Sequence, residues 1–378
     1  MTPIQIKQNK SLKRKRKLAA ALTASMLLST APAAGLLPGA DFAAAAEGSA
    51  AAASMLNVVS QPFLIDGMRT EVPTAIVDGE TYISLRVLNE KLGLATSWDV
   101  KSRSAVVTGR NRVFIASPVN GSYELNGQRV YGSQAILNNG STFLPLRFLL
   151  ERMGYVISYD ADTRTVDIQT IKENTLNFAT KTISEVTEKQ SLLIHYPVIS
   201  GYENADTQSK VNAFLKREAE SFTVSGQQSL TKTMQENEKL QSDNPDIDYP
   251  PVAYEGNYTI TYNEQDMLSL YVDYYIDLGG AHGTTVRIPY TFDLKNGDTV
   301  SLKEAAGSHS DYVAIINQSI NAQIKARKLN LLNPFEGIKP DRPFYLRHGA
   351  IVITFEQYEY TAYAQGMPEF MIPFRSFE

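Results

Sequence analysis

Cysteine is absent from the 378 residues, tryptophan occurs once and histidine four times. Without thiols there is no disulfide, no thiolate metal site, no cysteine nucleophile and no lipid-modified cysteine. Each domain therefore depends on its own apolar core. The four histidines, His195, His282, His309 and His348, are never two or four residues apart, so no local pair of metal ligands exists. Long hydrophobic runs are equally scarce. Apart from the stretch Leu18 to Leu28, nothing approaches the ~20 apolar residues that a membrane-spanning helix needs.

What is present at the N-terminus is a positive block, Lys13, Arg14, Lys15, Arg16 and Lys17, ahead of that apolar stretch. The helix breakers Pro32, Gly35, Pro38 and Gly39 follow, and then the small-residue run Ala43 to Ala46. Charge, apolar segment and small-residue exit are the parts of a secretory signal peptide, which predicts residues 1–46 as a removable leader and 47–57 as a linker. The leader carries seven Lys/Arg and Asp41, so removing it from 36 basic and 40 acidic residues leaves 29 against 39, a net charge of −10. Such a chain attracts cationic partners and is not expected to bind nucleic acid or anionic lipid unaided, although acidity also serves plain solubility. The expected location is extracellular or on the cell wall, with no integral membrane segment after cleavage.

Residues 58–170 contain an internal duplication. Leu64-Ile65-Asp66-Gly67-Met68-Arg69 returns 60 residues later as Glu124-Leu125-Asn126-Gly127-Gln128-Arg129. Tyr82-Ile83-Ser84-Leu85-Arg86 returns as Phe143-Leu144-Pro145-Leu146-Arg147 at an offset of 61, which also pairs Leu92-Gly93 with Met153-Gly154, Trp98-Asp99 with Tyr159-Asp160, and Arg103 with Arg164. Each copy reads as a strand, an Asp/Asn-Gly hairpin turn, a second strand, a short amphipathic helix stopped by glycine, and a final hairpin. The predicted class is α+β, with helices packed on antiparallel sheet. By these residues the region resembles the copper amine oxidase N-terminal-like, or stalk, domain. That resemblance implies an envelope-associated accessory module and no oxidase activity, because Asn257-Tyr258 is followed by Thr259 instead of an acid and no histidine cluster accompanies it.

Residues 171–190 are polar and are expected to be a linker or an entry strand into a second α+β domain, 191–378. Val211, Phe214, Leu215, Glu218 and Phe222 mark a helix over 208–222, and the polar stretch 225–251 is predicted to be flexible, with room for an exposed helix at 230–240. Leu268, Leu270, Val272, Tyr274 and Ile276 alternate with more polar residues, the pattern of a half-buried strand.

Two segments carry the candidate site. In Asp277-Leu278-Gly279-Gly280-Ala281-His282-Gly283, the glycines Gly279, Gly280 and Gly283 free the backbone around His282, which suits either a ligand loop or a tight connection between strands. A metal would need Asp273, Asp277 and Glu356 to converge on His282, which no local spacing requires, so no metal and no cofactor are expected. The other segment, Phe355 to Tyr363, interleaves Glu356 and Glu359 with Tyr358, Tyr360 and Tyr363. It suits a carbohydrate platform, a docking patch for a cationic protein, or a strand whose tyrosines simply pack. Two acids alone do not make a glycosidase, which needs a fixed separation across a sugar cleft. No catalytic residue is assigned.

These segments, with Ile288 to Gly297 between them, resemble the extracellular domain of lysozyme-sensing anti-sigma factors, a domain that also precedes the catalytic part of some peptidoglycan deacetylases. The resemblance implies recognition of lysozyme or peptidoglycan, with Gly279, Gly280, His282, Gly283, Glu356, Tyr358, Tyr360 and Tyr363 as landmarks. Only a basic tail precedes Leu18, and Leu294 replaces the second acid in the Thr291-Phe292-Asp293 echo of the deacetylase motif, so neither signalling nor deacetylation is expected. The expected function is a secreted, non-enzymatic binding protein that recognises a cationic protein of the lysozyme kind or cell-wall peptidoglycan. A structural spacer and a peptidoglycan-active hydrolase are the alternatives.

Overall fold

The computed structural model describes residues 56–378, so the leader and most of the 47–57 linker lie outside the described residues. The fold is α+β, built from four sheets and a few helices. No helix among the described residues is long and apolar enough to cross a membrane.

The duplicated region folds by exchange. The final hairpin of the first copy, Ala95–Asp99 and Ser104–Gly109, joins strands Arg112–Ser117, Ser122–Leu125 and Gln128–Val130 in a five-stranded sheet. The final hairpin of the second copy, Tyr155–Asp160 and Thr165–Thr170, joins the opening strands of the first, Val58–Ile65 and Met68–Val77, in a seven-stranded sheet. One core is shared between the copies, with Leu88 and Leu149 of the two short helices fully buried in it beside Phe63, Phe114 and Ile168. The turns repeat as faithfully as the sequence does. Asp66-Gly67 and Asn126-Gly127 both have positive φ at both positions, the geometry of a tight twisted hairpin. Asp99 and Asp160 each accept backbone N–H bonds from residues two and three further on, which holds both carboxyls below the usual carboxylate range.

The helix starts are less specific than the sequence implies. Ser84 suits an N-cap and occupies that position of helix Leu85–Leu92, but its hydroxyl makes no capping bond; Pro145, which suits a first helical turn, is the N-cap of Leu146–Arg152. Gly93, at φ 64°, closes the first helix as expected, whereas the second ends on Met153 with Gly154 following it.

Residues 177–186 form an edge strand of a six-stranded sheet, paired antiparallel along Gln190–Ser200. The rest of that sheet is the long meander Val252–Glu264, Met267–Asp277 and Thr284–Asp293, closed by the two-residue strand Asp298–Thr299. Not every neighbour is antiparallel: Val58–Ile65 runs parallel to Thr165–Thr170, and Gln190–Ser200 runs parallel to Val252–Glu264.

The helix expected at 208–222 and the exposed helix given room at 230–240 are not separated by a flexible stretch. One helix, Ala205–Asp243, runs from the first into the polar stretch and stops before its last eight residues, started by the Asn204 side chain accepting from Thr207 N–H. Polar composition concealed its apolar stripe: Val211, Leu215, Ala219, Phe222, Gly226 and Leu230 recur every three or four residues and lie buried on the sheet. Gly226 marks the closest approach, since a Cβ there would lie 2.7 Å from Leu192 and 2.8 Å from the Tyr254 ring. Phe222 stacks on Tyr274 at 4.0 Å nearby.

A three-stranded sheet, Phe344–Arg347, Ala350–Thr354 and Glu369–Pro373, packs with helix Tyr312–Arg327 around a further core. It is fastened to the six-stranded sheet by Ser269, whose buried hydroxyl accepts from Leu346 N–H and bonds Thr291.

Candidate functional site

Strand Met267–Asp277 returns as Thr284–Asp293 through the glycine-bearing loop 278–283, at the rim where the two C-terminal sheets meet. Asp277 organises the loop by accepting from Gly279 N–H at 3.0 Å and from the Tyr275 hydroxyl at 3.2 Å. Gly279 has φ 80°, and Gly283 leaves room for the Tyr275 ring, which any Cβ at that position would strike. Gly280 has open space around it.

The segment after strand Ala350–Thr354 is a loop with a single short 3-10 turn, Tyr363–Gln365, and not a strand. It reaches the His282 loop through Gln357, whose side-chain oxygen accepts from Thr285 N–H at 2.7 Å. The Tyr358 hydroxyl lies 2.9 Å from His282 Nε2, and His282 Nδ1 lies 3.1 Å from the Gly283 carbonyl. A carbonyl only accepts, so Nδ1 carries a hydrogen and donates to it, while Nε2 and the Tyr358 hydroxyl share the second hydrogen bond. The Tyr363 ring stacks on His282 at 4.0 Å and 25°, while Tyr358 lies 6.1 Å from His282 and 5.9 Å from Tyr363. Three rings from two loops thus form one platform, with His282 and Tyr358 exposed and Tyr363 half-buried. Tyr358 holds φ 63°, a conformation that costs a bulky residue about 1–3 kcal/mol and persists only where neighbours impose it.

The other expected members of the site go elsewhere. Tyr360 faces the core of the three-stranded lobe, edge-on to Phe355 at 4.9 Å and to Phe335 at 5.7 Å. Glu359 is bound at both oxygens by Arg342, at 2.5 and 2.7 Å, and also accepts from Glu356 N–H, so it fastens its own loop. Burial, and then the Glu359 charge, push the Glu356 carboxyl up. Asp273 does not join His282 either: Arg287 clasps it at 2.7 Å through two nitrogens, also pairs with Glu369, and lies 3.8 Å over the Tyr271 ring. Among the described residues there is no group of three His, Asp or Glu placed to hold a metal ion.

The histidines outside this loop have separate settings. His195 is buried in its strand with Nδ1 at 2.9 Å from the Thr182 hydroxyl, and burial pushes its pKa down. His309 Nδ1 accepts from Asp311 N–H. His348 bonds Glu264 through Nδ1 at 2.8 Å across 84 positions of chain, a contact with no local signal.

Comparison with known families matches residues 65–168 to the copper amine oxidase N-terminal domain, residues 183–285 to a model described as deacetylase PdaC, and residues 304–375 to a family of unknown function, DUF3298. The anti-sigma-V factor RsiV of Bacillus subtilis (strain 168) is 27% identical over 203 residues. That match takes in 50% of this chain and 65% of the length of RsiV, short of two thirds. Among solved structures, a DUF3298 member from Bacteroides fragilis is 17% identical with a TM-score of 0.43, covering 54% of this chain and 93% of that one. A DUF3298 protein from Pseudomonas aeruginosa PAO1 is 16% identical with a TM-score of 0.37, covering 53% and 91%. Region by region, the chain thus matches the copper amine oxidase N-terminal domain, then the PdaC and DUF3298 family models, in the order the sequence resemblance implied.

Proposed function

We propose that this is an exported cell-envelope protein, without catalytic activity of its own, whose C-terminal half recognises a cationic protein of the lysozyme kind. The observation that carries this reading is the His282, Tyr358 and Tyr363 platform, set at a rim and held by a strained backbone. Rigid aromatic side chains give contact area at small entropic cost, which is why they dominate binding hot spots. Asp277 and Glu356 beside the platform, and the −10 charge of the chain without its leader, favour a positively charged partner. Similarity to an anti-sigma factor over about half of the chain supports a sensing or docking role outside the cytoplasm. The partly engaged acids at this rim offer no defined acid and base, which argues against the hydrolase alternative.

The test is retention of lysozyme by the immobilised protein at rising salt. Salt-sensitive retention that falls at least about tenfold in Tyr363→Ala and His282→Ala is expected, because both substitutions remove part of the contact face and neither opens a core. Equal retention by both variants, or none by the unaltered protein, defeats the reading. The stacked rings also favour a second ligand class, since a flat aromatic face suits a sugar ring. Sedimentation with purified peptidoglycan, lost in the same variants while lysozyme is ignored, selects that outcome.

A further inference from the structure

The longest free sheet edge among the described residues is Asn177–Val186, ten residues paired along one side only. The other edge strands there run to six residues or fewer, Tyr155–Asp160 being the longest of them. A long edge is normally blunted by proline, a bulge or a covering element, because its unpaired N–H and C=O groups invite another strand. This one has no proline and no break in register from Asn177 to Val186. The duplicated domain reaches only its beginning, where Thr180 bonds the Asn126 carbonyl and Asn111 the Leu176 carbonyl. From Lys181 to Val186 Ile183 is half-buried and the other five residues are exposed.

The bonds on the paired side settle which groups face the free side. Thr187 N–H donates to the Gln190 carbonyl across the hairpin turn, and Val252 N–H donates to the Lys189 carbonyl from the strand beyond. Both place Gln190, Leu192 and Ile194 with their backbone groups toward the edge strand, where Leu192 and Ile194 meet Glu185 and Ile183. Lys181, Ile183 and Glu185 are therefore bonded inward, and Thr182, Ser184 and Val186 present N–H and C=O outward.

The side chains have a symmetry of their own. Lys181, Ile183 and Glu185 share one face, a cation and an anion two residues either side of an apolar residue. Neither charge forms an ion pair among the described residues, and Glu185 accepts from Gln227. A second copy laid antiparallel about a two-fold axis through Ile183 sets Lys181 opposite Glu185 of that copy, and the reverse. Thr182 and Ser184 then exchange backbone hydrogen bonds across the join. Moving the axis by one residue sets Ile183 opposite a charge, and moving it by two sets Lys181 or Glu185 opposite itself.

We propose that two copies of this chain join edge to edge along Lys181–Val186, making one continuous sheet of their two six-stranded sheets. Opposite charges directly across antiparallel strands are favourable and like charges are not, so the edge is complementary to itself in one register. The His282 loop lies between the fourth and fifth strands of the sheet, away from this edge. The dimer thus leaves both aromatic platforms free, and a partner with repeated sites is held by two at once.

Sedimentation equilibrium of the full chain at rising concentration is expected to show a reversible monomer–dimer equilibrium. Lys181→Glu and Glu185→Lys are each expected to weaken it by about tenfold or more, because each sets like charges opposite at two symmetric places, and the double variant to restore it. Ser184→Pro removes an N–H that the sheet itself does not use. Loss of the dimer is expected there, with the thermal midpoint unchanged at concentrations where the unaltered chain is monomeric. The chain has no cysteine, so Ile183→Cys is expected to give a single disulfide-linked dimer on mild oxidation, since such facing residues stand about 4.5 Å apart at Cα. Glu188→Cys, away from the axis, is not expected to cross-link. Tyr363→Ala is expected to dimerise as the unaltered chain does. A monomer at every concentration, which leaves the edge to a strand of another protein, overturns the proposal. So does a dimer indifferent to Ser184→Pro, or a double variant no better than the single ones.

Discussion

Gln128 of the duplicated domain and Tyr258 of the C-terminal half hold each other by two buried hydrogen bonds. The glutamine Nε2 donates to the Tyr258 carbonyl at 2.7 Å, and Tyr258 N–H donates to the glutamine Oε1 at 3.1 Å. The parallel pairing of Gln190–Ser200 with Val252–Glu264 stops at Gly256, and beyond it a side-chain amide from another domain stands in for a neighbouring strand. Replacing Gln128 by Ala leaves a buried donor and a buried acceptor unmatched, at a cost of about 2–4 kcal/mol. Urea unfolding is expected to show that loss, and limited proteolysis is expected to cut the 171–176 connection faster.

Gly226→Ala sets two effects against each other. In an exposed helix the change stabilises by up to about 1 kcal/mol, because alanine restricts the unfolded chain and favours the helix. Here the new methyl meets Leu192 and Tyr254 inside the core, and overpacking of that kind costs about 1–3 kcal/mol. The core term is the larger, so a lowered thermal midpoint is expected, with helix content by circular dichroism unchanged.

Arg287→Met strands Asp273, whose carboxyl burial already pushes up despite the arginine bonds. Breaking one side of such a buried pair costs about 3–5 kcal/mol. The loss is expected to be smaller at acid pH, where Asp273 takes a proton, and unfolding curves at two pH values measure the difference.

His195 supplies a pH dependence of definite sign. Burial, offset in part by the Glu255 charge, holds its pKa below the ordinary 6.5, so the unfolded chain binds the proton more readily than the folded one. Its contribution to stability is complete above 6.5 and is lost as pH falls through the lowered folded value. Between about pH 7 and about pH 5 the denaturation midpoint is expected to fall, with a shallower slope in His195→Gln. An identical slope in the variant counts against this assignment.

The parts of the structure visible in the sequence are those coded locally. Asp66-Gly67, Asn126-Gly127, Asp99, Asp160 and Gly93 announce their turns because each needs a particular side chain or a positive φ at one position. His282 also stood out, since glycines surround it. Its approach to Tyr358 and Tyr363 depends on two loops meeting across 76 positions, and nothing in either loop states the register. Tyr360 and Tyr363 look alike on paper and are both half-buried, but one packs on Phe355 and the other stacks on His282, because a loop, unlike a strand, follows no period of two. The long helix was missed because hydrophilic residues on its outer faces outweighed a narrow buried stripe.

The parallel pairing of the first and last strands of the duplicated domain fixes where its chain enters and leaves. Ile65, at the far end of the opening strand, lies opposite Ile168, and the chain departs two residues later. Entry at Val58 and departure at Thr170 therefore fall at opposite poles, about ten strand residues or roughly 30 Å apart. The interleaved copies work as a rod passed through lengthwise, so any pull on the two ends loads these strands in shear along their common axis.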